Sequence, residues 1–391
     1  MMGTLRDQAA IVGIGATEFS EGTDETGVRL ALQAIDLAIE DAGLERRDVD
    51  GIIRYSVDSS TSVEMLAANL GVEDLAFWSE VPHGGGASCA VIQQAAAAVA
   101  TGMANTVVCF RSFTPADFLE GAKHNSNTLW ARHSGVRDFM RTTGWNAMID
   151  TFAACAQRHM HDFGTTEEHL GAIVKACRRH AAMNPGALRG QELSIDDYLQ
   201  SPYVSEPLRE ADVFILPTYG ACAVVVTSAE RATDLRQTPA YVLGAAAASG
   251  TKSLPYWELI PFRRGTITHT PSREVAGRLW EMAGIRPSDI DVAQLYDCYS
   301  YTVLAQLEDY GFCEKGDGGP FVEGGRIEID GELPVNTHGG HLGEAYVHGF
   351  THVLEGVRQI RGTSTAQVDG AETCFVSGGT PSATSALVLR K

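Results

Sequence analysis

The sequence predicts an α/β protein built from two related halves, with a helical segment inserted into the first half. Three observations support this prediction. The chain opens with an apolar strand pattern over Ala9–Gly15, followed by apolar residues at helical spacing from about Thr26 to Ala42. A similar helix–turn–strand pattern returns in the second half of the chain. Between the two copies, the region 114–209 carries helical patterns instead. Strands that alternate with helices are typical of a sheet covered by helices.

The repeat is the clearest of these signals. Ala38–Ser56 reads AIEDAGLERRDVDGIIRYS, and Leu279–Asp297 reads LWEMAGIRPSDIDVAQLYD. Aligned without gaps, the copies share a helix end, two turn aspartates and a tyrosine after the strand, which pair as Ala42–Gly43 with Ala283–Gly284, Asp48 and Asp50 with Asp289 and Asp291, and Tyr55 with Tyr296. A repeat of this length predicts two related halves. Chance similarity of a single helix–turn–strand unit is the alternative.

The remaining elements follow in chain order. An alanine-rich helix over Cys89–Ala100 precedes a strand over Thr106–Arg111. The inserted region carries helices near Asn146–Asp162 and Thr166–His180. A strand over Ala221–Thr227 returns to the first half, and the last strand spans about Ser385–Arg390. The predicted units are an N-terminal half over 1–113, a helical insertion over 114–209, the rest of the N-terminal half over 210–238, and a C-terminal half over 239–391.

Composition excludes several classes of function. The chain has 391 residues, of which 44% are hydrophobic, and this is enough for a large buried core. Its net charge of −19 disfavours nucleic-acid binding, because no basic surplus exists to neutralise phosphates. No apolar run approaches the roughly 20 residues of a membrane span, and the first eight residues lack a signal-peptide core. The eight cysteines form no CxxC pair, which favours reduced thiols in a cytoplasmic protein.

Three stretches carry a family resemblance. They are Arg158–Pro185, Tyr296–Val322 with its run LEDYGFCEKGDGGPF, and Val335–Gly362. With these stretches the chain resembles the thiolase superfamily, and within it the sterol-carrier-type and lipid-transfer-type thiolases, over nearly its whole length. The resemblance implies a thiolase fold: two pseudo-repeated βαβ-type halves in a layered α-β-α-β-α arrangement with a helical loop-domain insertion. It also implies a homodimer in which two mixed five-stranded layers sandwich helices.

The residues at the thiolase catalytic positions depart from the family pattern. A thiolase uses a cysteine thiolate as nucleophile, two histidines and often a second cysteine. In the segment VPHGGGASCA the family cysteine falls on Gly85, although a shifted loop would make Cys89 the nucleophile. The two family histidines fall on Tyr296 and Tyr346. The C-terminal cysteine motif is degenerate at Phe375–Gly379.

This pattern resembles the thiolase-like aldolases of bacterial steroid side-chain degradation. The resemblance implies retro-aldol cleavage of a 17-hydroxy steroid acyl-CoA to a 17-ketosteroid and propionyl-CoA. Such a reaction needs a base, an acid and stabilisation of a thioester enolate, but no acyl-enzyme. We expect Tyr296 and Tyr346 to share the acid and base roles, with the assignment between them open. Supporting or oxyanion contacts are predicted from Asn336, from backbone N–H groups around Gly339–Gly340, and from His348.

Other readings of the sequence stay open. The chain could be an acetyl-CoA acyltransferase that uses Cys89, or a non-catalytic acyl-CoA or lipid-binding subunit. A group of histidines, His338, His341, His348 and His352, has spacings that metal sites also show, but polar lining of a pocket is the favoured interpretation and no metal is predicted.

The resemblance also bears on ligands and partners. Coenzyme A is expected as part of substrate and product, with no other cofactor bound for catalysis. A small OB-fold companion with a zinc ribbon is implied, which would form a heterotetramer around the homodimer. Lys175, Arg178 and Arg179 lie on an insertion helix, where they would either contact the coenzyme A phosphates or form a solvated basic face.

Overall fold

The computed structural model describes residues 5–55, 61–81, 84–116, 141–249, 267–379 and 383–391. Residues 117–140 of the predicted insertion and 250–266 of the predicted C-terminal half lie outside this described part. The domain boundaries proposed from the sequence therefore stay predictions. Within the described residues, no helix is long and apolar enough to cross a membrane.

Helices and strands alternate through both halves. The strands are β1 (Ala9–Ala16), β2 (Gly51–Tyr55), β3 (Phe77–Val81), β4 (Thr106–Phe113), β5 (Tyr203–Ser205), β6 (Leu208–Arg209), β7 (Gly220–Ser228), β8 (Ala240–Ser249), β9 (Val292–Gln294), β10 (Thr373–Gly379) and β11 (Ala383–Arg390). The helices are α1 (Gly27–Ala42), α2 (Val63–Leu70), α3 (Ser88–Ala100), α4 (Met148–Phe163), α5 (Glu167–Ala182), α6 (Ile195–Gln200), α7 (Ala229–Ala232), α8 (Ser272–Ala283), α9 (Ser300–Asp309), α10 (Gly318–Val322), α11 (Gly340–Gly343) and α12 (Phe350–Arg361). Every helix and strand predicted from the sequence is present, with ends that differ by a few residues.

Within the described residues, nine strands form one mixed sheet in the order β3-β2-β4-β7-β1-β8-β11-β10-β9. The two halves meet at its centre, where β1 and β8 pair antiparallel over two residues only. Outward from this seam, β1-β7-β4-β2-β3 on one side corresponds to β8-β11-β10-β9 on the other. In the second half, the place of a fifth strand is taken by a single parallel bridge between Ala293 of β9 and Val335. The expected five-stranded layers are therefore joined edge to edge by a short ladder.

The two copies of the sequence repeat have the same local structure. Helices α1 and α8 end at Gly43 and Gly284, both in the left-handed conformation with φ of 72° and 67°. The second turn aspartate of each copy, Asp50 or Asp291, accepts backbone N–H bonds from the start of the neighbouring strand β4 or β10. Each carboxylate thus supplies a hydrogen-bond acceptor for backbone N–H groups at the start of the strand. This shared role accounts for the aspartate in both copies of the repeat.

The core lies on both faces of the sheet. Helices α1 and α2 pack an apolar stripe that includes Leu30 and Ile35 against the first half. Helices α3 and α12 are buried on nearly all sides and contact strands of both halves. Burying each large aliphatic side chain contributes about 1.5–3 kcal/mol. Because α3 and α12 form the middle layer, the loops that precede them are brought together at one end of the molecule.

The run LEDYGFCEKGDGGPF forms a buried ion cluster. Glu308, at the end of α9, accepts backbone N–H bonds from Gly316 and Gly318 at 3.1 and 3.0 Å. The same carboxylate pairs with Lys315 Nζ at 2.9 Å and with His159 Nε2 of α4 at 3.0 Å. The run therefore attaches the insertion to the C-terminal half, a structural role that accounts for its specific sequence.

Candidate active site

The two predicted catalytic tyrosines lie in contact. Tyr296 follows β9, and Tyr346 lies in the loop between α11 and α12. Their hydroxyl oxygens are 3.3 Å apart, and the side chains are only 1% and 4% exposed. The structure thus brings together two residues that the sequence separates by 50 positions. Two phenols in hydrogen-bond contact can exchange a proton directly, because either oxygen can donate or accept.

Gly85, the position where the family nucleophile would stand, faces Tyr296. A Cβ atom built on Gly85 would overlap Cζ, Cε2 and Oη of the Tyr296 ring, well inside the 3.0 Å that real Cβ atoms respect. A side chain at position 85 and a tyrosine at position 296 therefore exclude each other in this arrangement. The assignment of position 85 to the family nucleophile stays a prediction, and the overlap shows that such a side chain would not fit beside Tyr296.

Cys89 has the environment of a core residue. Its side chain is fully buried in the first turn of α3, and Sγ donates to the carbonyl oxygen of Val376 at 3.6 Å. Burial raises the pKa of this thiol to about 12. A thiolate at neutral pH is therefore disfavoured, and the alternative in which Cys89 acts as the nucleophile loses its chemical basis.

The backbone of Tyr296 is held by two polar side chains. Its N–H donates to Ser377 Oγ at 3.0 Å, and its carbonyl accepts from Gln306 Nε2 at 2.7 Å. Ser377 in turn donates to Gln306 Oε1 at 2.6 Å. Ser377 belongs to the degenerate C-terminal motif that the sequence indicated. Gln306 was not predicted, since a single glutamine inside an apolar helix carries no functional signal.

Aromatic rings and one cation surround Tyr346. Its ring lies 4.1 Å from Phe214 and 5.4 Å from Phe113, measured between centroids. Burial raises the pKa of Tyr346, while the contact with Tyr296 and the charge of Arg111 oppose this rise. Burial raises the pKa of Tyr296 as well. The site thus keeps both phenols neutral at rest, which suits proton exchange between them better than a standing phenolate.

His348 lies beside Tyr346 in an unusual backbone conformation. Its φ is 50°, and its ring centroid is 4.9 Å from that of Tyr346. Its Nδ1 accepts a hydrogen bond from Nε of Arg111 at 3.1 Å. Sequence analysis did not identify Arg111 as a site residue. Its charge at the end of the apolar strand over 106–111 was a signal that could have identified it.

The loop predicted to hold the thioester oxygen is largely used for structure. The carboxamide of Asn336 pairs with both backbone groups of Leu295, at 2.7 and 2.9 Å, and so aligns the residue before Tyr296. The N–H of Gly339 donates to the carbonyl of Asn336 at 2.8 Å. Gly340 has φ of 62°, and a Cβ there would collide with Oδ2 of Asp297. A part for these three residues in oxyanion binding stays a prediction.

Asp297, His341 and His352 form the one compact group of potential metal ligands among the described residues. Asp297 Oδ1 lies 3.3 Å from His341 Nδ1 and 3.0 Å from His352 Nε2. However, His341 Nε2 accepts the N–H of Gly349 at 3.0 Å, so the neutral ring carries its hydrogen on Nδ1. In this tautomer, neither ring nitrogen of His341 has a lone pair free to bind a metal ion. Burial by itself would raise the pKa of Asp297, but the two histidines hold it below the ordinary value.

His338 contacts His352 and Glu344. Its ring contacts His352, and its Nε2 is 3.7 Å from Oε2 of Glu344. Burial raises the pKa of Glu344 to about 7 and lowers that of His338. Of the four clustered histidines, His341 and His348 contact the Tyr346 ring.

The basic residues of α5 divide into two kinds. Lys175 and Arg179 are paired with Glu328. Arg178 instead lies beside Arg189, and neither forms an ion pair with a described carboxylate. The pKa of Arg178 is lowered, first by burial and then by the charge of Arg189. Both are half-buried. The backbone N–H of Arg189 donates to the carbonyl of Gly343, three residues before Tyr346.

The sequence is similar to characterised proteins over its whole length. Residues 258–391 match the family described as Thiolase C-terminal domain-like. The chain is 42% identical to a 17-hydroxy-3-oxo-4-pregnene-20-carboxyl-CoA lyase of Mycobacterium tuberculosis, across 98% of this chain and 100% of that protein. It is 40% identical to a steroid side-chain-cleaving aldolase of Thermomonospora curvata, across 99% of both.

Solved structures give the same result. A structure named Ltp2-ChsH2(DUF35) aldolase superposes with a TM-score of 0.90 at 40% identity, covering 99% of this chain and 98% of that chain. Human mitochondrial 3-ketoacyl-CoA thiolase superposes with a TM-score of 0.69 at 15% identity, which shows the shared fold alone. The chain therefore belongs to the thiolase superfamily, in the branch that contains the thiolase-like steroid side-chain-cleaving aldolases.

Proposed function

We propose that this protein is a carbon–carbon lyase that cleaves a β-hydroxy steroid acyl-CoA, of the 17-hydroxy-3-oxo-pregnene-carboxyl-CoA type, to a 17-ketosteroid and propionyl-CoA. The observation that carries the proposal is the pair of buried phenols, Tyr296 and Tyr346, in contact beside a glycine at the nucleophile position. The relatives named above act on such a substrate or cleave such side chains. A retro-aldol step forms no acyl-enzyme, so the loss of the cysteine is consistent with it.

The proton balance of this reaction fits the tyrosine pair. One tyrosine oxygen takes the proton of the substrate hydroxyl as the ketone forms. The electrons of the broken carbon–carbon bond pass to the thioester as an enolate. The other tyrosine gives its proton to the α-carbon, which completes propionyl-CoA. In the same event the first tyrosine passes its own proton to the second across the 3.3 Å contact, so both residues end as neutral phenols. No proton has to enter from solvent.

The raised pKa values favour transfers that occur together. A free phenolate in a buried site costs desolvation energy, and burial raises the pKa of Tyr296 and of Tyr346. If one phenol accepts a proton while it donates its own to the neighbouring phenol, neither residue becomes ionised in the buried site. General acid–base catalysis of this kind contributes about 10²–10⁴-fold.

Among the supporting residues predicted from the sequence, His348 is proposed to contact the thioester oxygen, because its ring lies beside that of Tyr346. The side chain of Asn336 and the N–H of Gly339 bond within the protein, and the His348 ring lies against Tyr346 while its Nδ1 accepts from Arg111. We assign His348 to the enolate oxygen and Asn336 to the alignment of Tyr296. Removing one such oxyanion donor from an enzyme costs about 10²–10³-fold in rate.

Arg178 and Arg189 are the proposed contacts for the phosphate groups of coenzyme A. They repel each other, and neither has a described carboxylate as partner, so a phosphate would relieve an existing electrostatic cost. Burial lowers the pKa of Arg189, and the nearby carboxylates of Glu21 and Glu210 only partly oppose this lowering. Lys175 and Arg179 are less suited to the task because Glu328 already neutralises them.

For the assembly, we propose a homodimer and a small OB-fold companion with a zinc ribbon. Among the described strands, β3 lies at one edge of the sheet, and Trp78 on it is 65% exposed. An edge strand with an exposed aromatic ring is suited to pairing with a second copy. The companion is supported by the two-part name of the similar aldolase structure.

Product analysis by mass spectrometry tests the proposal. Purified protein, with and without its companion, receives a 17-hydroxy steroid C22 acyl-CoA in one reaction and a 3-oxoacyl-CoA plus free coenzyme A in another. We expect propionyl-CoA and a 17-ketosteroid from the first reaction alone. Chain-shortened acyl-CoA from the second would instead support a thiolase. Binding of acyl-CoA without turnover in either would support a non-catalytic subunit.

A further inference from the structure

A buried arginine is bonded to the histidine beside the tyrosine pair. Arg111 lies on β4 and is 1% exposed. Its Nε donates to His348 Nδ1 at 3.1 Å, although the two residues are 237 positions apart. Its guanidinium carbon lies 5.5 Å from the centroid of the Phe113 ring. A buried cation needs polar groups to bond it, and His348 Nδ1 is one of these groups.

The identity of the donor determines which tautomer His348 adopts. Arginine nitrogens only donate hydrogen bonds, and the guanidinium stays protonated in proteins. His348 Nδ1 must therefore accept, and in the neutral ring the hydrogen then resides on Nε2. A doubly protonated ring would place two donors and two positive charges face to face across 3.1 Å. The contact thus favours one form of the ring, the neutral Nε2–H tautomer.

The backbone and the neighbouring rings fix the direction in which this N–H points. The carbonyl of His348 accepts from the hydroxyl of Tyr55 at 2.9 Å, which holds the left-handed backbone at φ of 50°. The ring lies between Phe113 and Tyr346, at centroid distances of 5.2 and 4.9 Å. A Cβ built on Gly84 would be 3.6 Å from Nε2. The Nε2–H edge therefore faces the glycine loop that carries the vacated nucleophile position.

We propose that Arg111 is a positioning residue that acts through His348, holding its ring in the Nε2–H tautomer so that a hydrogen-bond donor faces the thioester oxygen next to Tyr346. This inference rests on the proposed lyase function for its catalytic consequence. Its structural core, the tautomer of His348, does not depend on that function. The positive charge of Arg111 also favours the negative charge that develops on the enolate.

Two substitutions separate the donor from the charge. In Arg111→Gln the amide nitrogen stands at the same bond count from Cα as Nε of arginine, so it can donate to His348 Nδ1 without a charge. In Arg111→Met the chain has similar length but neither donor nor charge. Thermal unfolding and circular dichroism establish that each variant is folded. His348→Asn assigns the His348 signals.

The decisive measurement is ¹⁵N NMR of histidine-labelled protein, combined with steady-state kinetics of the aldolase in its complex with the companion. We expect the Nε2–H signature in the wild type and in Arg111→Gln, and a mixed or Nδ1–H signature in Arg111→Met. We expect kcat to fall about 10–100-fold in Arg111→Met, less than about 10-fold in Arg111→Gln, and KM to change less than about 3-fold in both.

Three outcomes would overturn the inference: an Nδ1–H signature in the wild type, wild-type kcat in Arg111→Met, or loss of activity in that variant with the tautomer unchanged. If Arg111→Met does not fold, the wild-type spectrum and Arg111→Gln decide the matter. An inactive wild type with the Nε2–H signature would count against the lyase function but not against the tautomer.

Discussion

The ring of Tyr296 occupies the space that a side chain on Gly85 would need. The family resemblance predicts that a thiolase nucleophile would stand at this glycine, and the Tyr296 ring fills the volume that such a side chain would need. Gly85 precedes α3 and Tyr296 follows β9, so a side chain at position 85 requires the Tyr296 ring to move. The steric coupling is consistent with the proposed retro-aldol reaction, which transfers protons and forms no acyl-enzyme.

The first prediction follows from that overlap. Gly85→Ala should lower kcat of the lyase at least about 10²-fold, because the added methyl group pushes the Tyr296 ring away from Tyr346. Overpacking should also reduce stability by about 1–3 kcal/mol. Kinetics and thermal unfolding measure both effects. Gly102→Ala, at a position where a Cβ meets no atom, controls for the loss of glycine, although its φ of 74° adds local strain. Wild-type kcat in Gly85→Ala would contradict the steric account.

Removing either phenol oxygen should stop catalysis. Tyr296→Phe and Tyr346→Phe should each lower kcat about 10²–10⁴-fold with little change in fold, because the proton path between substrate hydroxyl and α-carbon is broken. Tyr301→Phe is the matched control: this tyrosine is also buried, and its hydroxyl has no hydrogen-bond partner among the described residues. Substrate turnover is followed by release of propionyl-CoA. Equal losses in all three variants would point to packing and not to proton transfer.

Thiol chemistry should be dispensable. Cys89→Ala should keep lyase activity within about 3-fold of the wild type, because the thiol is fully buried and its pKa is raised to about 12. The substitution removes a small buried group, so we expect a loss of about 1 kcal/mol in stability. Activity after treatment with a thiol-blocking reagent gives an independent measurement. Complete loss of turnover in Cys89→Ala, with the fold intact, would restore the thiolase alternative.

The phosphate contacts can be tested with truncated substrates. Arg178→Met and Arg189→Met should raise KM for the coenzyme A thioester about 10-fold each, and should leave KM for the matching pantetheine thioester unchanged. Each lost charge-assisted contact is worth about 1.5–3 kcal/mol. Dephospho-coenzyme A thioester distinguishes the 3′-phosphate from the diphosphate. Arg179→Met, on the same helix but paired with Glu328, is the control. An equal effect on all thioesters would remove these arginines from phosphate binding.

Acid should release the cluster that attaches the insertion. Burial alone would raise the pKa of Glu308, but His159 and Lys315 hold it below its ordinary value. A carboxylate with a lowered folded-state pKa stabilises the protein above the unfolded pKa of about 4.5, and this contribution disappears as pH falls through the folded value. Chemical unfolding between pH 3 and pH 7 should therefore show a smaller pH dependence in Glu308→Gln.

The partner of that carboxylate gives the complementary result. Lys315→Met leaves Glu308 with one cationic neighbour fewer in a buried site, so we expect a loss of about 3–5 kcal/mol at pH 7. Arg326→Met, which removes an exposed pair with Glu332, should cost less than about 1 kcal/mol. A similar loss of stability in both variants would show that the buried cluster contributes no more to stability than an exposed ion pair.

Local signals predicted most of the fold. The end of α1 at Gly43 and of α8 at Gly284 followed from the repeat, because a helix end and its glycine are encoded within a few residues. The repeat also predicted equivalent strands. The pairing of β1 with β8 was not predicted, since the two-residue ladder depends on how the halves meet.

The sequence by itself determined which residues are candidates for the site: Gly85, Tyr296 and Tyr346 were predicted from the order of residues in recognisable motifs. Only the tertiary structure decided what these residues touch. The contact of the two hydroxyls and the bond from Arg111 to His348 join residues far apart in the chain. Such contacts depend on the packing of whole helices and strands. Local propensity depends only on residues near in the sequence, so the same helices and strands would form in a different packing arrangement. It therefore cannot predict distances between residues far apart in the chain.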